Sequence, residues 1–223
     1  MSLTQSLKAV VMKDLRSEIR TRYGMTAIGL FVVTSVALVA FATADEQLHR
    51  PVAAGVLWVV MFFTAMSGLG RGFVSEAERG TALYLQMSAP SQAVILGKLI
   101  SNTIVAVVSN VAVLALFVVL LGTVQIASPW ILLLVLAVGS LGLATVVTIT
   151  SAIVATAGTR SPLLPVLSFP VLLPLIMPGM NATLFAMADV EIVDVWPDLA
   201  LMLSHTGIVA TVSYLVFDVV WTE

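Results

Sequence analysis

The sequence predicts an all-α polytopic membrane protein with six transmembrane helices, an N-terminal interfacial amphipathic helix and a short cytoplasmic hairpin. Of its 223 residues, 60% are hydrophobic and only 10% are charged, whereas a soluble domain carries about 25% charged residues. The mean hydropathy is +1.10, and long uncharged stretches recur along the chain. Six spans of about 20 residues nearly fill this length, so residues 1–223 are predicted to form a single domain.

The first element, residues 1–22, is predicted to be an amphipathic helix at the membrane interface. Leu3, Leu7, Val11, Leu15 and Ile19 recur at every fourth position, which is the spacing of one face of a helix. Basic residues lie mostly off that row. Such a helix places its apolar side on the bilayer and its basic side toward anionic headgroups, so membrane lipids are expected partners. The alternative is a cytoplasmic lead-in whose charges only fix the topology.

The six predicted spans follow from the uncharged stretches of the sequence. They are residues 24–44, 51–70, 99–121, 130–157, 161–180 and 199–219. Basic residues set the orientation, because cytoplasmic loops carry an excess of lysine and arginine. Only Arg50 falls on the predicted outer side, and the other bases fall inside: Lys8, Lys13, Arg16, Arg20, Arg22, Arg71, Arg79, Lys98 and Arg160. Both termini are therefore expected in the cytoplasm, with the chain in a bacterial inner membrane. The acids Asp189, Glu191, Asp194 and Asp198 are expected in an outer loop.

The fourth predicted span carries a stripe of small residues. Ser140, Ala144, Thr148, Ala152 and Thr156 fall at every fourth position, and small residues let another helix approach closely. Packing inside the bundle is the favoured interpretation. Packing against a second protomer, which would make a homodimer, is the alternative.

The fifth predicted span is rich in proline. Pro162, Pro165, Pro170, Pro174 and Pro178 lie in or beside it, and each interior proline removes a backbone hydrogen bond and clashes one turn back. A kinked or broken element is therefore expected. Pro165, Pro170 and Pro174 are hinge candidates if the kink moves, and a static kink is equally consistent with the sequence.

Residues 71–98 are predicted to form a compact hairpin between the second and third spans. A short helix over residues 72–79 is expected to end at Gly80, with Thr81 and Ser91 capping the helices that follow. Its expected exposed side chains are Glu76, Glu78, Arg79, Leu83 and Leu85. Charges beside apolar anchors suit docking into a groove of a partner protein. A loop helix lying on the membrane is the alternative.

The sequence carries no recognisable catalytic residues. Its only Gly-Lys pair, Gly97-Lys98, has Gln92 and Leu99 where a Walker A motif needs Gly and Ser or Thr. Without cysteines a thiolate metal site is excluded, and no metal site is predicted. No basic face suggests a nucleic-acid partner. His49 and His205 are weak candidates for haem ligation, although isolated histidines are more often plain polar residues.

Several stretches resemble a known family of membrane permeases. The pattern formed by Glu76, Glu78, Gly80, Thr81, Leu83, Pro90, Gly97 and Lys98 resembles the coupling region of compact six-helix ABC exporter permeases. KDLRSEIRTR at residues 13–22, GVLWVVMFF at 55–63 and RSPLLPVLSFPVLLPLIMPG at 160–179 are similar to stretches of the CcmB family, also called haem exporter protein B. The resemblance does not extend to the tail after Met180.

That resemblance implies a non-catalytic ABC transporter permease subunit for cytochrome c biogenesis. It implies a CcmA-like ATPase that binds and hydrolyses ATP, a CcmC-like haem-handling protein and a small CcmD-like membrane protein as partners. Haem would be the substrate, or the permease would drive release of a haem-loaded chaperone. The ATPase-coupling residues implied are Arg71, Glu76, Glu78, Arg79, Gly80, Thr81, Leu83, Pro90 and Lys98. A permease for another hydrophobic substrate and a non-transporting membrane scaffold are the alternatives.

Overall fold

The computed structural model describes residues 3–20, 22–43, 48–121, 126–156, 163–188 and 190–222. Over these residues the chain is helical and contains no strand. Its helices are α1 (Leu3–Arg20), α2 (Arg22–Ala42), α3 (Arg50–Gly68), α4 (Arg71–Glu78), α5 (Ala82–Ser88), α6 (Ser91–Leu120), α7 (Pro129–Thr156), α8 (Leu163–Ala186) and α9 (Ile192–Thr222).

Five helical stretches within the described residues are long and apolar enough to cross a membrane. They are Arg50–Glu78, in which α3 continues into α4, then Ser91–Leu120, Pro129–Thr156, Leu163–Ala186 and Ile192–Trp221. The apolar part of α2, Thr26–Ala42, is shorter. The fold is therefore that of an all-helical membrane protein, and the sixth span at residues 24–44 stays a prediction.

Helix α7 lies at the centre of the bundle, against α6, α8 and α9. Its small stripe is used within the chain, because Ser140, Ala144, Thr148 and Ala152 are all buried. Two amides of α6 bond to this stripe. Asn110 donates to the Ser140 hydroxyl at 2.9 Å, and Asn102 donates to the Thr148 hydroxyl at 2.8 Å. These four stripe residues thus pack inside the bundle, whereas the fifth, Thr156, is exposed.

A single tryptophan joins α3, α7 and α8. The ring of Trp58 lies so close to Gly139 and Gly179 that a Cβ at either glycine would stand 2.7 or 2.2 Å from it. The indole Nε1 donates to the Thr183 hydroxyl at 2.9 Å. Buried indole N–H groups need such a partner, so this contact fixes the ring and the three helices around it.

Two predicted helix boundaries are wrong, at the start of α9 and at the end of α8. Helix α6 begins at Ser91, close to the start predicted from its capping position, so Lys98 lies inside the helix, where it is paired with Asp14. Helix α9 begins at Ile192 instead of 199, so Asp194 and Asp198 lie in the helix and not in a loop. Asp194 stands in the first helical turn, where a negative charge is favourable. Helix α8 continues to Ala186, beyond the predicted end at 180.

The proline-rich helix α8 is not broken, and the expected kink stays a prediction. It runs continuously with Pro170, Pro174 and Pro178 inside it. Prolines four residues apart leave unbonded carbonyls along one stripe of the helix, and packing of α8 against α3, α7 and α9 supports the remaining backbone. Pro165 lies in the first turn, where no amide hydrogen is required. Pro162 lies outside the described residues.

Candidate functional site

The hairpin between α4 and α5 is built on a left-handed glycine. Gly80 has a φ of 67°, the one positive φ among the described residues. Its N–H donates to the carbonyl of Ala77 at 3.1 Å, and the N–H of Thr81 donates to that of Glu76 at 2.9 Å. This is the Schellman pattern that ends many helices. The predicted helix end at Gly80 is confirmed.

Two predicted caps of this region are wrong. The Thr81 hydroxyl forms no cap of α5 and donates instead to the carboxylate of Glu76. The Ser91 hydroxyl likewise leaves α6 uncapped and donates to Asp218 of α9. Both hydroxyls therefore tie separate elements together, which sequence-based capping rules do not anticipate.

Helix α5 presents an apolar tip made of Leu83, Tyr84 and Met87. These side chains are 66%, 76% and 82% exposed, while Leu85 between them is buried. The expected exposure of Leu83 is confirmed, and that of Leu85 is wrong. Tyr84 and Met87 were not among the predicted site residues, although their spacing along a seven-residue helix places them beside Leu83.

Four charged side chains from three helices meet in an ion-pair cluster beside the hairpin. The cluster comprises Lys13 and Asp14 of α1, Glu76 of α4 and Lys98 of α6. The Lys98 ammonium lies 3.3 Å from Asp14 and 3.8 Å from Glu76. The Lys13 ammonium lies 3.2 Å from Asp14 and bonds to Glu76. Alternating charges thus join the N-terminal helix, the hairpin and the start of α6.

Lys98 is the buried centre of this cluster. Its side chain is only 2% exposed. It donates to the carbonyl of Gly72 at 3.0 Å and lies 4.9 Å from the centre of the Phe73 ring. Lys98 was predicted to contact a partner protein, but its burial excludes direct contact. Glu76, expected to be exposed, is also largely enclosed.

The charge state of Lys13 follows from the same contacts. Burial alone would lower the pKa of its ammonium. The hydrogen bond to Glu76 and the nearby charge of Asp14 outweigh burial and raise that pKa above its usual value. Lys13 is therefore protonated at neutral pH, as the cluster requires.

Helix α1 rests on α6 through a contact that only glycine allows. A Cβ at Gly97 would stand 2.7 Å from the Val10 Cγ1 atom. Ser6 and Val10 are buried on this face of α1. The predicted apolar row is partly free, since Leu3 is 48% and Ile19 is 70% exposed. One side of α1 thus belongs to the protein, and its placement at the membrane interface stays a prediction.

The end of α9 holds the hairpin from the opposite side. The ring centroid of Phe73 lies 5.5 Å from those of both Phe217 and Trp221. Gln86 of α5 donates to the carbonyl of Trp221. Sequence reasoning missed this aromatic clamp, although Phe217 and Trp221 lie four apart on one helical face. The N-terminal helix, the hairpin and the end of α9 therefore lie at the same end of the bundle.

The other predicted site residues lie outside the ion-pair cluster. Arg71, Glu78, Arg79 and Pro90 are exposed along the hairpin, and Pro90 directly precedes α6. A cleft of about 520 Å³ runs between α1 and the hairpin, with Arg71 and Arg79 at its edge.

The two histidines are not brought together by any described contact. His49 is exposed just before α3, whereas His205 is the fourteenth residue of α9, roughly 20 Å from the start of that helix at 1.5 Å per residue. The placement of His205 near the outer face stays a prediction. Its imidazole Nε2 is buried without a hydrogen-bond partner.

Comparison with known proteins agrees with this architecture. A search of curated proteins finds no match. The sequence profile of the family described as CcmB protein matches residues 5–219. The match includes the tail after Met180, which the sequence resemblance did not reach. Because it spans nearly the whole chain, the protein belongs to the CcmB family, the permease subunit of an ABC transporter that serves haem handling and cytochrome c maturation.

Proposed function

We propose that this chain couples ATP hydrolysis on a CcmA-like ATPase to a step in cytochrome c maturation, through the apolar tip of α5. The observation that carries the proposal is the convergence of α1, α4 and α6 in the ion-pair cluster behind that tip. An exposed apolar helix attached to a charged, buried anchor can receive a partner's motion and pass it on. No nucleotide-binding motif is present in the sequence, so ATP belongs on the partner.

The transmitted motion follows two routes in this proposal. The first passes from Glu76 through Lys98 into α6 and through Asp14 into α1. The second passes from Phe73 through the aromatic clamp into α9. Because α6 and α9 both pack on the central helix α7, a displacement of the hairpin reaches the whole bundle.

In this proposal ATP hydrolysis drives one of two steps. The chain either transports haem, or it drives release of a haem-loaded chaperone outside the membrane. CcmC-like and CcmD-like proteins complete the assembly, and a second copy of this chain completes the permease. The hairpin end faces the cytoplasm of the inner membrane. His205, with its unpartnered Nε2 inside the bundle, is a better candidate for a haem contact than the exposed His49.

The test removes the apolar tip without touching the ion-pair cluster. Leu83→Ser combined with Met87→Ser should leave the protein in the membrane but abolish co-purification of the ATPase and cytochrome c maturation. Val193→Ser is the matched control, since Val193 is 70% exposed at the opposite end of the bundle. Wild-type ATPase association and maturation in the double variant would refute the proposal. ATPase activity that ignores the tip would favour the scaffold role.

A further inference from the structure

A shallow, basic concavity adjoins the ion-pair cluster on the outside of α1. It is open to the outside, has a volume of about 690 Å³ and is lined by Met12, Lys13, Arg16, Ser17, Arg20 and Arg79. Arg16 and Arg20 lie four residues apart and so share one helical face, and Arg79, at the end of α4, lines the same concavity. We call these three residues the arginine concavity.

The three guanidinium groups have no acidic partner within the described parts of the chain. The ion pairs there involve Lys13 and Lys98, whose ammonium groups already bond to Asp14 and Glu76. Arg16, Arg20 and Arg79 are exposed. Like charges gathered in one concavity repel one another, so an anionic ligand would relieve that repulsion as well as bond to them.

The angular positions of residues around α1 indicate the side from which the anionic ligand would bind. At about 100° per residue, Arg16 and Arg20 point roughly 140° and 180° away from Val11, which is at the centre of the apolar row. If that row contacts the bilayer, the concavity opens toward water. It also lies on the side of the hairpin, since Arg79 lines both it and the cleft beneath α5.

We propose that the arginine concavity binds an acidic segment of the partner ATPase and forms a second docking contact beside the apolar tip of α5. The inference rests on the proposed function and adds a contact of different chemistry. A guanidinium group can hold a carboxylate through two parallel hydrogen bonds. The α5 tip would supply apolar binding, and the arginine concavity would orient the ATPase and speed its association.

The experiment reverses the three charges in the assembled complex. Arg16→Glu, Arg20→Glu and Arg79→Glu, singly and together, are compared with Lys8→Glu, which changes an exposed base of α1 outside the concavity. At low salt the triple variant should lose ATPase affinity by about tenfold or more, because each attraction becomes a repulsion. The difference from wild type should shrink near 1 M NaCl, where the screening length falls to about 3 Å. Lys8→Glu should behave as wild type. Equal thermal unfolding of the detergent-solubilised variants excludes a folding defect.

A second experiment, with photoreactive residues, identifies the ligand by crosslinking. A photoreactive residue in place of Arg20 should crosslink to an Asp- and Glu-rich peptide of the ATPase, and one in place of Lys8 should not. Wild-type affinity and salt dependence in the triple variant would overturn the inference. Loss of bound phosphatidylglycerol from the triple variant, with ATPase affinity unchanged, would overturn it in favour of a membrane contact. The proposed function fails only if the α5 tip variants also retain the ATPase, so the two failures are distinguishable.

Discussion

At the scale of single residues, Lys98 shows how a charge can be structural in a membrane protein. Its ammonium is shielded from water and held by two carboxylates and a backbone carbonyl. The sequence placed Lys98 in a motif and among the residues expected to contact the ATPase. Burial could not be read from the motif, because it depends on Asp14, which lies 84 residues away in the chain.

Replacing Lys98 should therefore destabilise the protein strongly. Lys98→Met leaves Asp14 and Glu76 with only the partly exposed Lys13, and removing one member of a buried ion pair costs about 3–5 kcal/mol. The midpoint of thermal unfolding in detergent should fall clearly. Lys8→Met, at an exposed position, should change stability by less than about 0.5 kcal/mol. Equal unfolding midpoints in the two variants would show that the cluster contributes nothing to stability.

At the scale of helices, the close approach of α1 to α6 depends on Gly97. Gly97→Ala would bring a Cβ within 2.8 Å of two Val10 atoms, so α1 must shift at a cost of about 1–3 kcal/mol. A cysteine crosslink between α1 and α6 should form more slowly in this variant. Adding Val10→Gly to the Gly97→Ala variant removes both clashing atoms and should partly restore the rate of crosslinking.

Gly207→Ala provides the control for that experiment. A Cβ at Gly207 meets nothing within 4 Å, and alanine favours a helix by about 1 kcal/mol. This variant should keep the wild-type crosslinking rate and lose no stability. An unchanged rate in Gly97→Ala as well would mean that α1 is not held at the close distance described.

The prolines of α8 give a second prediction at this scale. Pro170→Ala with Pro174→Ala removes a helix cost of about 3 kcal/mol per position, so the protein should not lose stability. If the weakened backbone works as a hinge, cytochrome c maturation should nevertheless fall. Pro165→Ala is the control, because Pro165 lies in the first turn and interrupts no helical hydrogen bond. Full maturation in the double variant would leave only the static role for these prolines.

At the scale of the whole molecule, hydropathy predicted the helical class, and local signals predicted the helix end at Gly80. Both predictions depend only on residues that are close together in the sequence. The ion-pair cluster and the aromatic clamp were not predicted, because each joins residues from distant parts of the chain. Gly97 and Trp58 were recognised only as parts of family motifs. Their steric roles depend on which helices become neighbours, and that is decided by the packing of the entire bundle.

Exposed residues at the two ends of the helical bundle make the membrane topology directly testable. Met87→Cys should react with a membrane-impermeant maleimide only after cell lysis, and Val193→Cys should react in intact cells. These side chains are 82% and 70% exposed at opposite ends of the bundle. The wild-type chain has no cysteine to interfere. Labelling of Met87→Cys in intact cells would reverse the proposed orientation.

The two asparagine bonds between α6 and α7 limit how the protein can move. Asn102 and Asn110 lie eight residues apart, and so do their partners Thr148 and Ser140 on the antiparallel helix. Sliding one helix along the other would break both bonds at once, and each amide would lose its partner in an environment that offers no water in exchange. The two bonds therefore oppose sliding of α6 along α7, whereas the two helices can still tilt or rotate together. In the proposed coupling mechanism, a displacement of the hairpin would tilt or rotate α6 and α7 together, and the resulting movement would be largest at the ends of these helices far from the hairpin.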